Sequence, residues 1–177
     1  AASDVYKRQG KVLWDLSTGP LVINNDRTYY VTQSSGVTGN GITVRNGAPT
    51  IYIDGLNVSA DIALNIENGN PTVRVVNSNT LKSTGFGASG IQVGDYLTSG
   101  SIKIVGSGTL TAIGGDQGCG IGAIYNSTGG WHINIEDCTV IAQANGADPA
   151  GIGARGGGAQ CGNITIKNAM ITSTGTA

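Results

Sequence analysis

The chain has 177 residues, 30 of them Gly, and only 12% are charged, about half the roughly 25% of an average globular protein. Its 19 Ile, 13 Val and 18 Thr against 8 Leu favour strands over helix interiors and exclude an all-α fold. Ten basic and eleven acidic side chains, for a net charge of −1, leave no electrostatic footprint for nucleic acid or an anionic membrane, and no run approaches the roughly 18 apolar residues of a membrane span.

At the start, Asp4-Val5-Tyr6-Lys7-Arg8-Gln9 looks like the translation of a transposon-end adaptor used in preparing sequencing libraries. Residues 1–9 are therefore set aside from fold reasoning, and the natural N-terminus of an environmental open reading frame, with any signal peptide, is expected to lie outside the chain. Residues 10–40, with Trp14, Leu21, Ile23, Tyr30 and Val31, read as a first coil or cap. From residue 41 to residue 177 the chain repeats.

The segments Thr50-Ile51-Tyr52-Ile53, Thr72-Val73-Arg74-Val75, Ser101-Ile102-Lys103-Ile104, His132-Ile133-Asn134-Ile135 and Asn163-Ile164-Thr165-Ile166 share one alternation, with offsets of 22, 29, 31 and 31. A second set falls at Val58, Leu81, Leu110, Val140 and Ile171. A third is Gly41-Ile42, Ala63-Leu64, Gly90-Ile91, Gly120-Ile121 and Gly151-Ile152, at offsets of 22, 27, 30 and 31. Short alternating runs are half-buried strands, and the Gly and Asn clusters between them supply turns. Three short strands per period of 22–31 residues predict a parallel β-helix (β-solenoid), whose five clear coils would rise roughly 24 Å at about 4.8 Å each. An antiparallel sandwich also has many short strands, but it has no reason to repeat Gly-Ile-Gly-Ala at 120–123 and 151–154. Ile171-Thr172-Ser173-Thr174-Gly175-Thr176-Ala177 stops in mid-pattern, so truncation is expected there. A solenoid cut at both ends exposes strand edges that template aggregation.

Ser107-Gly108-Thr109-Leu110-Thr111-Ala112-Ile113-Gly114-Gly115, followed by Gly120-Ile121-Gly122-Ala123 and then Ile133-Asn134-Ile135, resembles the pectate-lyase-like right-handed β-helix repeats of bacterial surface and secreted proteins. The similarity covers about residues 41 to 175. It implies a right-handed all-β helix, an extracellular or cell-surface location and a polysaccharide or glycan partner, in a segment of a larger surface protein; the relatives include non-catalytic carbohydrate-binding and adhesin-like domains. Some relatives bind acidic plant polysaccharides with calcium, but no acidic cluster here matches a ligand motif, so no cofactor is assigned and calcium stays an open question.

Catalysis finds little support. Glycoside hydrolysis needs two carboxyl groups about 5 to 9 Å apart, and the only adjacent acidic pair, Glu136-Asp137, sits on a strand whose neighbouring side chains point to opposite faces. The paired Asp, Gly-His-Gly and Arg-x-Lys patterns of polygalacturonases are absent. Asp95, Asp116 and Asp148 lie in Gly-rich corners, and two adjacent coils can present Asp116, Asp148 and Arg155 on one edge, either as a calcium or anionic-sugar site or as residues capping turn amides. Gly151-Ile152-Gly153-Ala154-Arg155-Gly156 matches a dinucleotide-binding string without its strand, helix or acidic residue. Cys119, Cys138 and Cys161 align with small residues of neighbouring coils and read as buried fillers, with one disulfide open.

Sugar recognition uses exposed rings whose faces stack on C–H surfaces while amides and acids bind hydroxyls. Tyr52 is the outward member of its strand, aligned with Arg74, Lys103, Asn134 and Thr165. Tyr96, Tyr125 and Trp131 lie in longer loops, where inserts on a solenoid carry function. Tyr125, Trp131 and His132 are the first choice for a sugar platform, with Tyr96, Asp116 and Arg155 as further binding candidates; no catalytic or metal-ligating residue is named. The reading is a non-catalytic, extracellular carbohydrate-binding or adhesin-like segment. The alternatives are a fragment of a polysaccharide lyase or glycoside hydrolase whose catalytic groups lie elsewhere, and a passive structural stalk.

Overall fold

A computed structural model describes residues 9–94, 100–124, 127, 131–155, 160 and 162–175. Sheet I contains β1 (Val12–Asp15), β3 (Thr28–Thr32), β5 (Thr50–Asp54), β8 (Thr72–Val76), β11 (Ser101–Val105), β14 (His132–Glu136) and β17 (Ile164–Lys167), stacked in that order. Sheet II stacks β6 (Asn57–Ala60), β9 (Ser78–Ser83), β12 (Thr109–Ile113), β15 (Thr139–Gln143) and β18 (Met170–Thr174). Sheet III stacks β2 (Leu21–Ile23), β4 (Ile42–Val44), β7 (Leu64–Ile66), β10 (Ile91–Val93), β13 (Ile121–Gly122) and β16 (Ile152–Gly153). All pairings between these strands are parallel, and the chain visits I, II and III in turn, so the molecule is a parallel β-helix. In the first coil a turn of 3-10 helix, Leu16–Thr18, stands where later coils have sheet II; Asp15 caps it by accepting from the Ser17 N–H at 2.9 Å. In the second, sheet II is reduced to a single bridge from Thr38 to Val58.

The alternation of the strands builds the interior. In sheet I one inward column runs Tyr29, Ile51, Val73, Ile104, Ile135, Ile166. In sheet III it runs Leu21, Ile42, Leu64, Ile91, Ile121, Ile152. These residues belong to one continuous apolar cluster for most of their length, and each Ile, Val or Leu removed from water contributes about 1.5–3 kcal/mol. On the last strands Ile164, Ile166 and Met170 are exposed.

One register differs from the sequence expectation. The repeat aligns Val73 with Ile102 and Leu81 with Leu110; in the structure Val73 lies beside Ile104 and Leu81 beside Ala112, an offset of 31 in both sheets. Arg74 therefore neighbours Val105 rather than Lys103, and Leu110 stacks on Asn79. A slip of two residues keeps every inward side chain inward, so alternation alone does not distinguish the two registers. Asn79 is nearly fully buried and satisfied: its Oδ1 accepts from the Leu56 N–H at 3.0 Å, and its Nδ2 donates to the Val76 carbonyl at 2.8 Å.

The corners explain the small residues. From the third coil on, the step from sheet I to sheet II is one to three residues long, beginning at Gly55, Asn77, Gly106, Asp137 or Asn168, all at positive φ; Gly, Asn and Asp are the residues that enter this region most readily. The Gly that precedes four of the six sheet III strands, at 41, 90, 120 and 151, has a different cause. A Cβ on Gly120 would lie 2.6 Å from the Gln143 nitrogen and 2.7 Å from the Gly151 oxygen, so the coils approach too closely for a side chain.

Candidate functional site

The corner from sheet II to sheet III brings together two of the residues singled out from the sequence. In the coils that carry β9, β12 and β15 this corner spans residues 84–90, 114–120 and 144–151, and the three stretches stack into one edge. The Gly87 N–H donates to the Asp116 carbonyl at 2.7 Å, and Asn145 N–H to the Gly118 carbonyl at 3.1 Å. Asp116 is exposed, at the tip of its corner, and its carboxylate lies against Gly146 of the next coil, where a Cβ would come within 2.7 Å of Oδ1. Asp148 is exposed in the left-handed conformation, φ 72°.

Arg155 reaches back along this edge. Its Nη2 donates to the Gln117 side-chain oxygen, and its guanidinium lies 5.3 Å from the centroid of the Phe86 ring. One half-buried cation from the β16 coil thus spans Gln117 of the β12 coil to Phe86 of the β9 coil. Phe86 is 72% exposed, and the guanidinium over it is a cation–π contact that fixes both groups at modest cost. The cluster combines an open aromatic surface, a carboxylate, an amide and a guanidinium on a rigid frame. Phe86 was not anticipated; the available signal is that the only Phe of the chain stands between two glycines, Gly85-Phe86-Gly87, in a corner.

Tyr96 and Tyr125 lie outside the described residues. The expectation for Trp131 is corrected: its side chain is fully buried in the apolar cluster, so it cannot stack on a sugar. The residue sits at the entry to β14, and Gly162 of the next coil is packed over its backbone so closely that a Cβ there would clash with the Trp131 carbonyl. Among the described residues the Trp131 indole N–H has no hydrogen-bond partner. His132 is exposed, and its Nδ1 accepts from the Asn163 N–H at 3.2 Å, tying two coils together at the edge of sheet I, away from the corner that carries Phe86.

Tyr52 faces outward but is engaged with its own chain. Its ring stacks on Tyr30 at 5.7 Å and 18°, with Lys11 Nζ 4.5 Å and the Arg74 guanidinium 5.7 Å from its centroid. The Tyr30 hydroxyl donates to Asp54 at 2.6 Å, and Asn77 donates to the other oxygen of the same carboxylate at 2.6 Å.

Glu136 and Asp137 do not converge. Glu136 pairs with Lys103 at 2.7 Å, and this hydrogen bond holds its carboxyl below the ordinary range; Asp137 is the left-handed corner residue that follows, at φ 52°. Among the described residues no group of three or more His, Cys, Asp and Glu side chains is placed to hold a metal ion, and no helix is long and apolar enough to cross a membrane. Cys119 and Cys138 are buried, and Cys161 lies outside the described residues. Burial, with Asp137 adding to it, pushes the Cys138 thiol up to about 11, which suits a filler rather than a nucleophile.

Comparison with protein-family models, with curated proteins and with solved structures gives no match to this chain.

Proposed function

We propose that the chain is a non-catalytic, glycan-binding segment of an extracellular or cell-surface bacterial protein, of the pectate-lyase-like β-helix kind that its Gly-Thr-Leu-Thr-Ala and Gly-Ile-Gly repeats resemble. The observation that carries this reading is the edge formed by Phe86, Asp116, Gln117 and Arg155. An exposed ring offers an apolar face to sugar C–H groups, while the carboxylate, amide and guanidinium around it offer acceptors and donors for hydroxyls. The stacked corners hold these groups on neighbouring coils with little loop entropy left to lose on binding. The separation of Glu136 from Asp137 weighs against a hydrolytic role for that pair.

A polysaccharide and glycan array probed with the full chain, with calcium and with a chelator, tests the proposal. Selective binding that Phe86→Ala and Arg155→Ala each weaken, with circular dichroism unchanged, supports it. Well-folded protein that retains no plant, microbial or host glycan overturns it in favour of a structural stalk. Binding lost in chelator adds calcium to the site, and release of shortened chains from a bound polymer replaces the reading with an enzymatic one.

A further inference from the structure

One coil before Phe86 the same edge opens into a cleft of about 260 Å³, lined by Pro20 of the first coil, Gly39, Gly41 and Thr43 of the second, and Ala60, Asp61, Ile62 and Asn65 of the third. It exists because the corner from sheet II to sheet III is only three residues long there, 61–63, whereas the next coil uses seven, 84–90. The longer corner is stacked on the shorter one: the Gly85 N–H donates to the Asp61 carbonyl at 3.0 Å, and Phe86 follows directly. The cleft falls below the roughly 300–1,000 Å³ of sites for drug-sized ligands, so it suits a single ring rather than a bound chain.

The polar groups on its wall are complementary. Thr43 and Asn65 are cross-strand neighbours on the outer face of sheet III. Asn65 Oδ1 accepts from Gln92 Nε2 at 3.3 Å, which leaves the amide donor of Asn65 for a ligand. Gln92 itself is buried, and among the described residues its side-chain oxygen has no partner. Among the described residues the Asp61 carboxylate and the Thr43 hydroxyl make no hydrogen bond or ion pair. The wall therefore offers an acceptor-only carboxylate, an amide donor and a hydroxyl that serves as either, over glycines that let the ring come close to the backbone. Among the described residues no Lys, Arg or His lines it.

We infer that this cleft is a subsite for one neutral sugar ring, bound through adjacent hydroxyls by Asp61 and Asn65, and that it rejects uronic acids because its only charged wall group is a carboxylate. A ligand carboxylate placed there meets a like charge with no cation to offset it, and such unpaired juxtaposition is how sites discriminate between related ligands. The inference rests on the carbohydrate reading, to which it adds a second location and the class of sugar. A polymer residue seated in the cleft has Phe86 on the next coil, roughly 4.8 Å further along the axis.

The test is a titration of the full, isotope-labelled chain, followed by amide NMR, with methyl glycosides of neutral hexoses and with the matching methyl uronides. The expected result is saturable shifts centred on residues 39–41 and 60–62 for at least one neutral glycoside and none for its uronide. Gly39→Leu should abolish them: Gly39 has an ordinary φ, and a Cβ there meets nothing nearer than 3.9 Å, so the variant fills the cleft without disturbing the fold. Asp61→Asn should weaken neutral binding about tenfold, as loss of a charge-assisted hydrogen bond does, and admit the uronide. Absence of shifts with every neutral glycoside overturns the inference, as does equal binding of the uronide to the unmodified chain. Shifts at residues 85–87 with none in the cleft overturn it while leaving the glycan reading intact. A silent array together with shifts in the cleft does the reverse.

Discussion

The early coils and the late coils of this helix share one interior and differ in their corners. From β2 to β7 successive strands of sheet III advance by 21 and 22 residues, and from β10 to β16 by 30 and 31. The buried columns pass through both regions without a break. The step from sheet I to sheet II does not lengthen, because a left-handed residue makes the whole turn. The extra residues enter only at the other two corners: from three to seven or eight between sheets II and III, and from four or five to as many as ten between sheets III and I. Apolar columns dictate what lies inside a coil, whereas the length of a solvent-facing corner carries little free energy, each doubling of a loop costing only about 0.6 kcal/mol. The candidate sites follow from that contrast: the cleft lies where corners are short, and Phe86 and Arg155 lie where they are long.

The largest expected effect separates an aromatic of the long corners that points in from one that points out. Trp131→Ala should destabilise the fold by about 3–5 kcal/mol, as loss of a buried large ring does, and Phe86→Ala should stay within about 0.5 kcal/mol, as exposed positions do. Denaturant titrations of both variants check this, and comparable losses would mean that Phe86 is structural.

Next in size is the position before each sheet III strand. Gly120→Ala in a long coil forces a Cβ against the backbone of the following coil and should cost about 3 kcal/mol. Ala63, the equivalent residue of a short coil, is buried and already carries its Cβ, so Ala63→Gly should cost only about 1 kcal/mol. Equal midpoints for the two variants would erase the distinction.

A slightly smaller loss, about 2–3 kcal/mol, is expected for Asn79→Ala at the seam between the two regions, because it leaves the Leu56 N–H and the Val76 carbonyl unpaired in a buried corner. A thermal scan that moves by less than a degree would show that water replaces the amide.

The smallest effect belongs to the first coil. Hydrogen bonds from Ser34 and then Ser17 lower the Asp15 carboxyl to about 2 from its ordinary 3.8. A depressed carboxyl stabilises the fold above its unfolded value, and that contribution fades as pH falls from about 4 through 2. Asp15→Asn should therefore lower stability slightly at pH 7 and flatten the acid limb, the two chains converging near pH 2; a difference that persists undiminished at pH 2 would assign Asp15 another role.

Much of this was legible in the chain itself. The columns Ile42, Leu64, Ile91, Ile121 and Ile152 are paired in the structure at the offsets their spacing predicts, since period-two alternation and a repeated Gly-Ile corner leave few other parallel arrangements. The step from Val73 to Ile104 was not legible, because both registers satisfy the alternation and only backbone pairing selects one. Trp131 read as a loop ring because it lies in one of the longer stretches between strands; its burial depends on the coil stacked above it. Phe86 and Arg155 lie 69 positions apart in sequence, and their contact follows from the stacking of the β9 and β16 coils on either side of the β12 coil.

The sequence by itself determined the parallel β-helix, its three strands per coil and its buried columns, because alternation and close-packed glycine corners are local patterns repeated along the chain. Tertiary structure alone decided the register at the fourth coil, the burial of Trp131, the cleft beneath Asp61 and the meeting of Phe86, Gln117 and Arg155. Each of these depends on how far one coil is offset from the next, and that offset is set by backbone pairing between segments distant in the chain.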